Sequence, residues 1–232
     1  MTGETMTGEA ESAPTVIDVT LVSLRVSSSM ISRALALLDD TERASASTRV
    51  GDARRRYLVA HAAARVVIGE RLRVDPAELH IASEDRGRPL IEGVAFSLSH
   101  SAERAAVAIA ASTARIGVDI ERIRSRPHLD RLAQRVFRPD EYDSWRALAQ
   151  SARPLAFARR WTEVEAVLKA RGTGIAGGFA SANEVAPGWS CTDIDAGAGY
   201  VGAVAADVTP IAVRTHALRL GDALTRRGET AR

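Results

Sequence analysis

From Thr15 to Val26, "TVIDVTLVSLRV", β-branched and apolar positions alternate with polar ones, which predicts a strand. Ser28 and Ser29 then offer hydroxyl caps for a short helix through Leu38. The period changes to helical over Asp52–Leu72, an Ala- and Arg-rich run with Tyr57, Ala60, Ala64, Val67 and Ile68 on one face. Short strands are predicted at Leu79–Ala82, Ala95–Ser99 and Arg104–Ala110. The same order returns: a strand at Arg115–Glu121, helices at Leu129–Val136 and Asp140–Leu148, and a long helix at Pro154–Arg171. Strands then follow at Trp189–Asp193, Tyr200–Ala206 and Ile211–Thr215.

Strand, helices and three strands, repeated at a spacing of roughly one hundred residues, predict an α+β protein of two similar tandem subdomains. The expected units are 15–112 and 113–224, meeting near Ser112–Ala114. This rests on element order, since the halves show no evident sequence identity. Small polar residues fill 1–14, "MTGETMTGEAESAP", and the tail 225–232, so both ends are expected to be disordered; Met6 offers a second start.

The stretch "WTEVEAVLKARGTGI" holds the only lysine among 31 basic residues. On a wheel of about 100° per residue, Phe157, Trp161, Val164 and Leu168 form the apolar stripe, and Glu165 and Lys169 lie on its flank. An ordinary Glu–Lys pair at i, i+4 is one account of them. Arg would pair as well, however, and the chain prefers Arg everywhere else. A compact ammonium differs chemically from a guanidinium fork: it acts as a point charge and shifts its pKa when partly buried.

In "RIGVDIER" a strand places Gly117, Asp119 and Glu121 on one face, with the carboxylates about 7 Å apart. They either line the wet side of an edge strand or share a cation; Mg2+, which takes one or two protein carboxylates and phosphate oxygens, would suit the second reading. "FSLSHS", Phe96–Ser101, gathers hydroxyls around His100, and "RGRP", Arg86–Pro89, forms a turn just upstream. Serine-hydrolase chemistry is disfavoured, because adjacent strand residues face opposite ways and no nucleophile-elbow glycines surround them. Phosphate binding by the hydroxyls, the imidazole and Arg88 fits better. "GTGIAGG" lacks the ending of a phosphate loop and follows a helix, so Gly172 reads as a C-cap.

Composition narrows the classes. One cysteine, Cys191, can form no internal disulfide, and scattered histidines give no zinc spacing. No run of about 20 apolar residues and no basic-then-apolar leader is present, so no membrane association and a cytoplasmic location are expected. Arg43, Arg49, Arg54, Arg55, Arg56, Arg65, Arg71 and Arg73 cluster in one stretch, which either meets an anionic partner or is solvated. Nucleic acid is not expected, since aromatics are only 4% and no groove-reading or stacking motif appears.

Taken in order, "RGRP", "FSLSHS", "GVDIE", "VFRPDEYDSW" and "WTEVEAVLKARGTG" resemble the Sfp-type 4'-phosphopantetheinyl transferases over about Asp52–Ile175. The resemblance implies two similar α+β halves with the site between them. It also implies transfer of the phosphopantetheine arm of coenzyme A to a serine of an acyl or peptidyl carrier protein, releasing adenosine 3',5'-bisphosphate. By motif position it implies Asp119, Glu121 and Glu165 as Mg2+ ligands, and Lys169 near the pyrophosphate. Glu165 and Lys169 are then the catalytic pair. Ser99, His100, Arg86, Arg88 and Arg43 are implied as coenzyme A contacts, together with Asp119 and Lys169; Glu141 matches a family glutamate of open role. One position departs from the pattern: Val164 stands where many members carry lysine before the motif glutamate. Fusion of both halves in one chain implies a monomer. The alternatives are a silent relative that binds coenzyme A or a carrier, and another Mg2+-dependent phosphate-ester enzyme.

Overall fold

A computed structural model describes residues 13–83, 89–174, 179 and 186–224. The expectations of disorder at 1–12 and 225–232, and the turn residues Arg86 and Arg88, lie outside the described residues. The first unit runs β1 (Thr15–Ser23), α1 (Ser28–Leu37), α2 (Asp40–Ser47), α3 (Gly51–Leu72), β2 (Ala82–Ser83), β3 (Pro89–Leu90), β4 (Val94–Ser101) and β5 (Arg104–Ala111). The second runs β6 (Ile116–Arg122), α4 (Leu129–Val136), α5 (Pro139–Ala147), α6 (Arg153–Arg171), β7 (Ser190–Ile194) and β8 (Tyr200–Ala206). A last strand, β9 (Ile211–Leu218), leads into a helical turn at 220–224.

Periodicity missed α2, which buries only Ala46 and so carries no apolar stripe. Its signal is electrostatic. Asp39 accepts from the Glu42 amide at 2.9 Å and Glu42 accepts back from the Asp39 amide at 3.2 Å, a reciprocal cap readable in "DDTE".

The sheets are ordered β4-β5-β1-β9 and β6-β8-β7. In each unit the first strand pairs antiparallel with the last, and the last with the one before it. The third strand expected in each half is placed differently. The first, expected at Leu79–Ala82, contributes only Ala82 to a two-residue ladder with β3. The second, β9, crosses to the first unit and pairs parallel with β1 from Thr15↔Ile211 to Val22↔Leu218. An unpaired edge of β1 would leave a row of amides and carbonyls without partners, and β9 covers it. The boundary at Ser112–Ala114 therefore separates elements in sequence, while β9 belongs to the first sheet.

The sheets meet through side chains. Ser97, Ser99 and Ser101 of β4 accept from the amides of Val118, Ile120 and Arg122 at 3.0, 3.3 and 3.2 Å. Residue numbers rise together on both strands, so β4 and β6 run parallel with hydroxyls standing where backbone carbonyls would bond. Beneath this seam Ile17, Val19, Ala106 and Ala108 share one core with Ile116, Val118, Ile120 and Val204. At about 0.8 kcal/mol per buried methylene, this shared core fixes the two sheets together.

Three arginines of the cluster form pairs that tie elements together. Arg55 and Arg56 both bond Glu103, at 2.9 and 2.7 Å. Arg65 is fully buried: Nε donates to Glu42 at 2.6 Å, Nη2 to Asp39 at 2.5 Å, and Nη1 to the carbonyls of Pro76 and Leu79 at 3.0 Å each. Arg65→Met would leave two carboxylates without their cation and is expected to cost about 3–5 kcal/mol, read by urea denaturation. Burial works to raise the Glu42 pKa, but hydrogen bonds from His61 and Arg65, with the charges of both, outweigh it and lower it. A lowered carboxylate contributes stability above its unfolded pKa and loses it as pH falls through the folded value. Glu42→Gln should therefore flatten the acid limb of a melting-temperature profile below about pH 4.5.

Candidate active site

The site is built where β6 meets α6, and Gly117 sets the spacing. A Cβ at Gly117 would lie 2.6 Å from the Ala170 amide and closer still to the Ala166 carbonyl, so only glycine allows this approach of helix to strand. Asp119 and Glu121, on the same face as Gly117, then look toward α6. Asp119 is 6% exposed, so the reading of a wet edge strand does not hold for it.

Phe157, Val164 and Leu168 are buried as the wheel predicts, Trp161 is half-buried, and Glu165 is buried rather than at the margin. Ala166, Val167 and Ala170 are buried as well, because α6 packs on β6 and β8 with one side and on α4 and α5 with another. Val164 is 1% exposed and belongs to the same apolar core as Val136, Trp145 and Phe157.

Lys169 bridges strand and helix: Nζ donates to Oδ1 of Asp119 at 2.7 Å and to the Val118 carbonyl at 3.1 Å. Ser99 donates to the same Oδ1 at 2.7 Å, and Ser101 donates to Oε2 of Glu121 at 2.7 Å. Two buried carboxylate oxygens, Oδ2 of Asp119 and Oε1 of Glu165, have no hydrogen-bond partner among the described residues. Burial pushes the Asp119 carboxyl up, Lys169 and Ser99 pull it back, and the Glu121 charge pushes it further up. Glu165 is pushed up to about 6 by burial and by the charges of Asp119 and Glu121, against the opposing charge of Lys169. Buried unpartnered oxygens on mutually repelling carboxylates are the donor chemistry a hard divalent cation satisfies. Among the described residues no three His, Cys, Asp or Glu side chains form a ready cage, so such a cation would rely on water and ligand oxygens for the rest of its shell.

A cavity of about 500 Å³ opens beside Lys169, lined by Glu42, Tyr57 and His61 of the first unit, Ser97 of β4, and Gly172 beyond α6. His100 is exposed, yet surrounding protein removes enough water to lower its pKa, with His61, Lys169, Arg49 and Arg56 adding repulsion. A neutral imidazole near four basic groups is compatible with anion binding.

Two implied contacts, and the glutamate of open role, have partners within the fold. The Ser99 hydroxyl is spent on Asp119 and the Ile120 amide, so its contribution runs through Asp119. Arg43 points its guanidinium at the carbonyls of Leu35 and Ala36, ending α1, and not into the cavity. Glu141 caps α5 by accepting from the Arg138 amide at 3.0 Å and pairs with Arg138 and Arg160. Sequence reasoning named no partner for the Ser101 hydroxyl and gave no part to Arg126 or the close approach at Gly117. The first was signalled by hydroxyls at alternate positions of "SLSHS", and the last by a glycine inside a strand pattern.

Residues 115–223 match the family model for the 4'-phosphopantetheinyl transferase superfamily. "4'-phosphopantetheinyl transferase HetI" of Nostoc sp. is 38% identical over 129 residues, 53% of this chain and 54% of that protein. "Putative 4'-phosphopantetheinyl transferase slr0495" of Synechocystis sp. is 30% identical over 139 residues, 58% of this chain and 55% of that protein. The chain thus spans about half the length of the curated relatives it matches. The matched segment begins one residue before β6 and takes in α6, and so includes Asp119, Glu121, Glu165 and Lys169. Over this segment the chain is similar to the 4'-phosphopantetheinyl transferase superfamily.

Proposed function

We propose that this chain is an Sfp-type transferase that moves the 4'-phosphopantetheine arm of coenzyme A to a serine hydroxyl of an acyl or peptidyl carrier protein, releasing adenosine 3',5'-bisphosphate. The observation that carries the reading is the buried set of Asp119, Glu165 and Lys169, with two unpartnered carboxylate oxygens, inside the segment that matches the superfamily. The shared order of β4-β5-β1 and β7-β8-β6 supports a pseudo-twofold pair of halves, with the cavity at their junction as the place for coenzyme A. Arg86 and Arg88 are retained as contacts to the nucleotide, beside His100.

Asp119, Glu121 and Glu165 would hold Mg2+, which when bound would stabilise charge on the pyrophosphate oxygens. The carrier serine oxygen forms a bond to the β-phosphorus as that phosphorus parts from the bridging oxygen. The serine proton passes to Glu165 or to a water that Glu165 orients. Lys169, held toward the cavity by Asp119 and the Val118 carbonyl, offers its charge to the leaving phosphate.

The carrier proposed is one of polyketide or nonribosomal peptide synthesis, with fatty-acid carriers the other class. Both units contribute to the cavity, so we propose a monomer. No helix among the described residues is long and apolar enough to cross a membrane, and a cytoplasmic location is part of the proposal. Pairing of Arg55, Arg56 and Arg65 within the fold removes much of the apparent basic patch, so no nucleic-acid partner is proposed. The test is incubation with Mg2+, coenzyme A and a panel of apo-carriers, read by intact mass. A gain of one phosphopantetheine supports the reading; coenzyme A binding without transfer leaves a silent relative, and coenzyme A turnover without any carrier indicates another phosphate-ester enzyme.

A further inference from the structure

Asp119 and Glu121 are held in the same way, by one oxygen each. Oδ1 of Asp119 takes the Ser99 hydroxyl and the Lys169 ammonium, both at 2.7 Å. Oε2 of Glu121 takes the Ser101 hydroxyl at 2.7 Å and the Arg126 guanidinium at 2.8 Å. The period of two on β4 meets the period of two on β6, so a serine and a cation are delivered to each carboxylate. Lys169 belongs to the motif, whereas Arg126 comes from the connection between β6 and α4.

Arg126 is firmly placed. Its segment is fastened at Ile123, whose amide donates to the Gly199 carbonyl at 2.9 Å, and turns back at His128 with φ of 59°. The guanidinium carbon lies 5.9 Å from the Phe157 ring centre and 5.8 Å from that of Trp161. Its side chain is 19% exposed and that of Glu121 17%, so water screens the pair only in part. Aromatic faces on α6 offer the guanidinium a second favourable surface beside the carboxylate.

We propose that Arg126 is a resident counter-ion of Glu121 that sets how readily the site accepts a divalent cation, a positioning role resting on the cation site proposed above. Three carboxylates face two fixed cations, so two of the three negative charges are balanced without a metal and the site stays folded. An incoming cation meets the repulsion of Arg126, and the occupied site no longer needs its charge. Arg126 therefore stabilises the cation-free state and weakens cation binding.

The probe is Mn2+ alone, titrated calorimetrically into the full chain without coenzyme A. Arg126→Ala and Arg126→Gln, the second retaining a hydrogen-bond donor without charge, should each bind Mn2+ roughly three- to tenfold more tightly than wild type. Both should melt below wild type without metal, and the difference should close at saturating Mn2+. Unchanged or weaker Mn2+ binding in both variants overturns the counter-ion role while leaving the cation site standing. Absence of Mn2+ binding by wild type overturns the cation site itself, and the inference with it.

Discussion

Gly117→Ala is expected to lower transfer of the phosphopantetheine arm by about 100-fold or more, although it adds a single methyl group far smaller than any residue of the site. The methyl would press on main-chain atoms of Ala166 and Ala170, which cannot rotate away as a side-chain tip could. The helix must move off the strand, and Glu165 and Lys169 lie next to the two residues that are pushed. Overpacking of this kind costs about 1–3 kcal/mol, so a lower melting temperature should accompany the loss. Steady-state transfer to a carrier, beside a thermal melt, checks both. Wild-type turnover in this variant would mean that the distance between β6 and α6 is not what sets the site.

Lys169→Ala should reduce turnover by about 100- to 1,000-fold, with a much smaller change in the concentration of coenzyme A needed for half-saturation. The ammonium is the donor that ties α6 to the Val118 carbonyl and to Asp119, and its side chain, 29% exposed, still reaches the cavity. Removing it leaves a buried carboxylate with one hydroxyl partner, at a cost of about 3 kcal/mol, the low end for a buried pair because the ammonium keeps some water. Lys169→Arg should not restore activity. Two acceptors, at 2.7 and 3.1 Å, converge on a single nitrogen, and a planar fork spreads its donors over a wider span than that pocket allows. Transfer by Lys169→Ala at the wild-type rate would remove the lysine from the mechanism.

Much of this site was legible before any fold was known. The alternation of "GVDIE" put Asp119 and Glu121 on one face, and the wheel put Glu165 and Lys169 together on the flank of one helix. These are local periodicities, set by backbone geometry within a single element. The serines of "SLSHS" were legible as a feature and read as phosphate contacts, while their partners across the fold were not legible, because a hydroxyl at a strand position does not declare its partner. Ser99 and Ser101 find theirs on a strand about twenty residues away. The cluster of arginines shows the same limit: in the sequence Arg65 is one more base of a stretch that either meets an anionic partner or is solvated, yet it is fully buried between Asp39 and Glu42.

By itself the sequence determined most of the longer elements and their order, though not α2 or β3, and the acidic and basic residues that share a strand or helix face. Hydrophobic period and capping chemistry act within a few residues, and they survive without knowledge of neighbours. Only the tertiary structure decided that β9 leaves its own half for the edge of β1, and that hydroxyls fasten β4 to β6. It alone brings Arg126 to Glu121 and lets α6 close on Gly117. Those choices depend on which unpaired edge, buried charge or missing side chain meets which partner across the core, and that is a property of packed surfaces and not of any local run of residues.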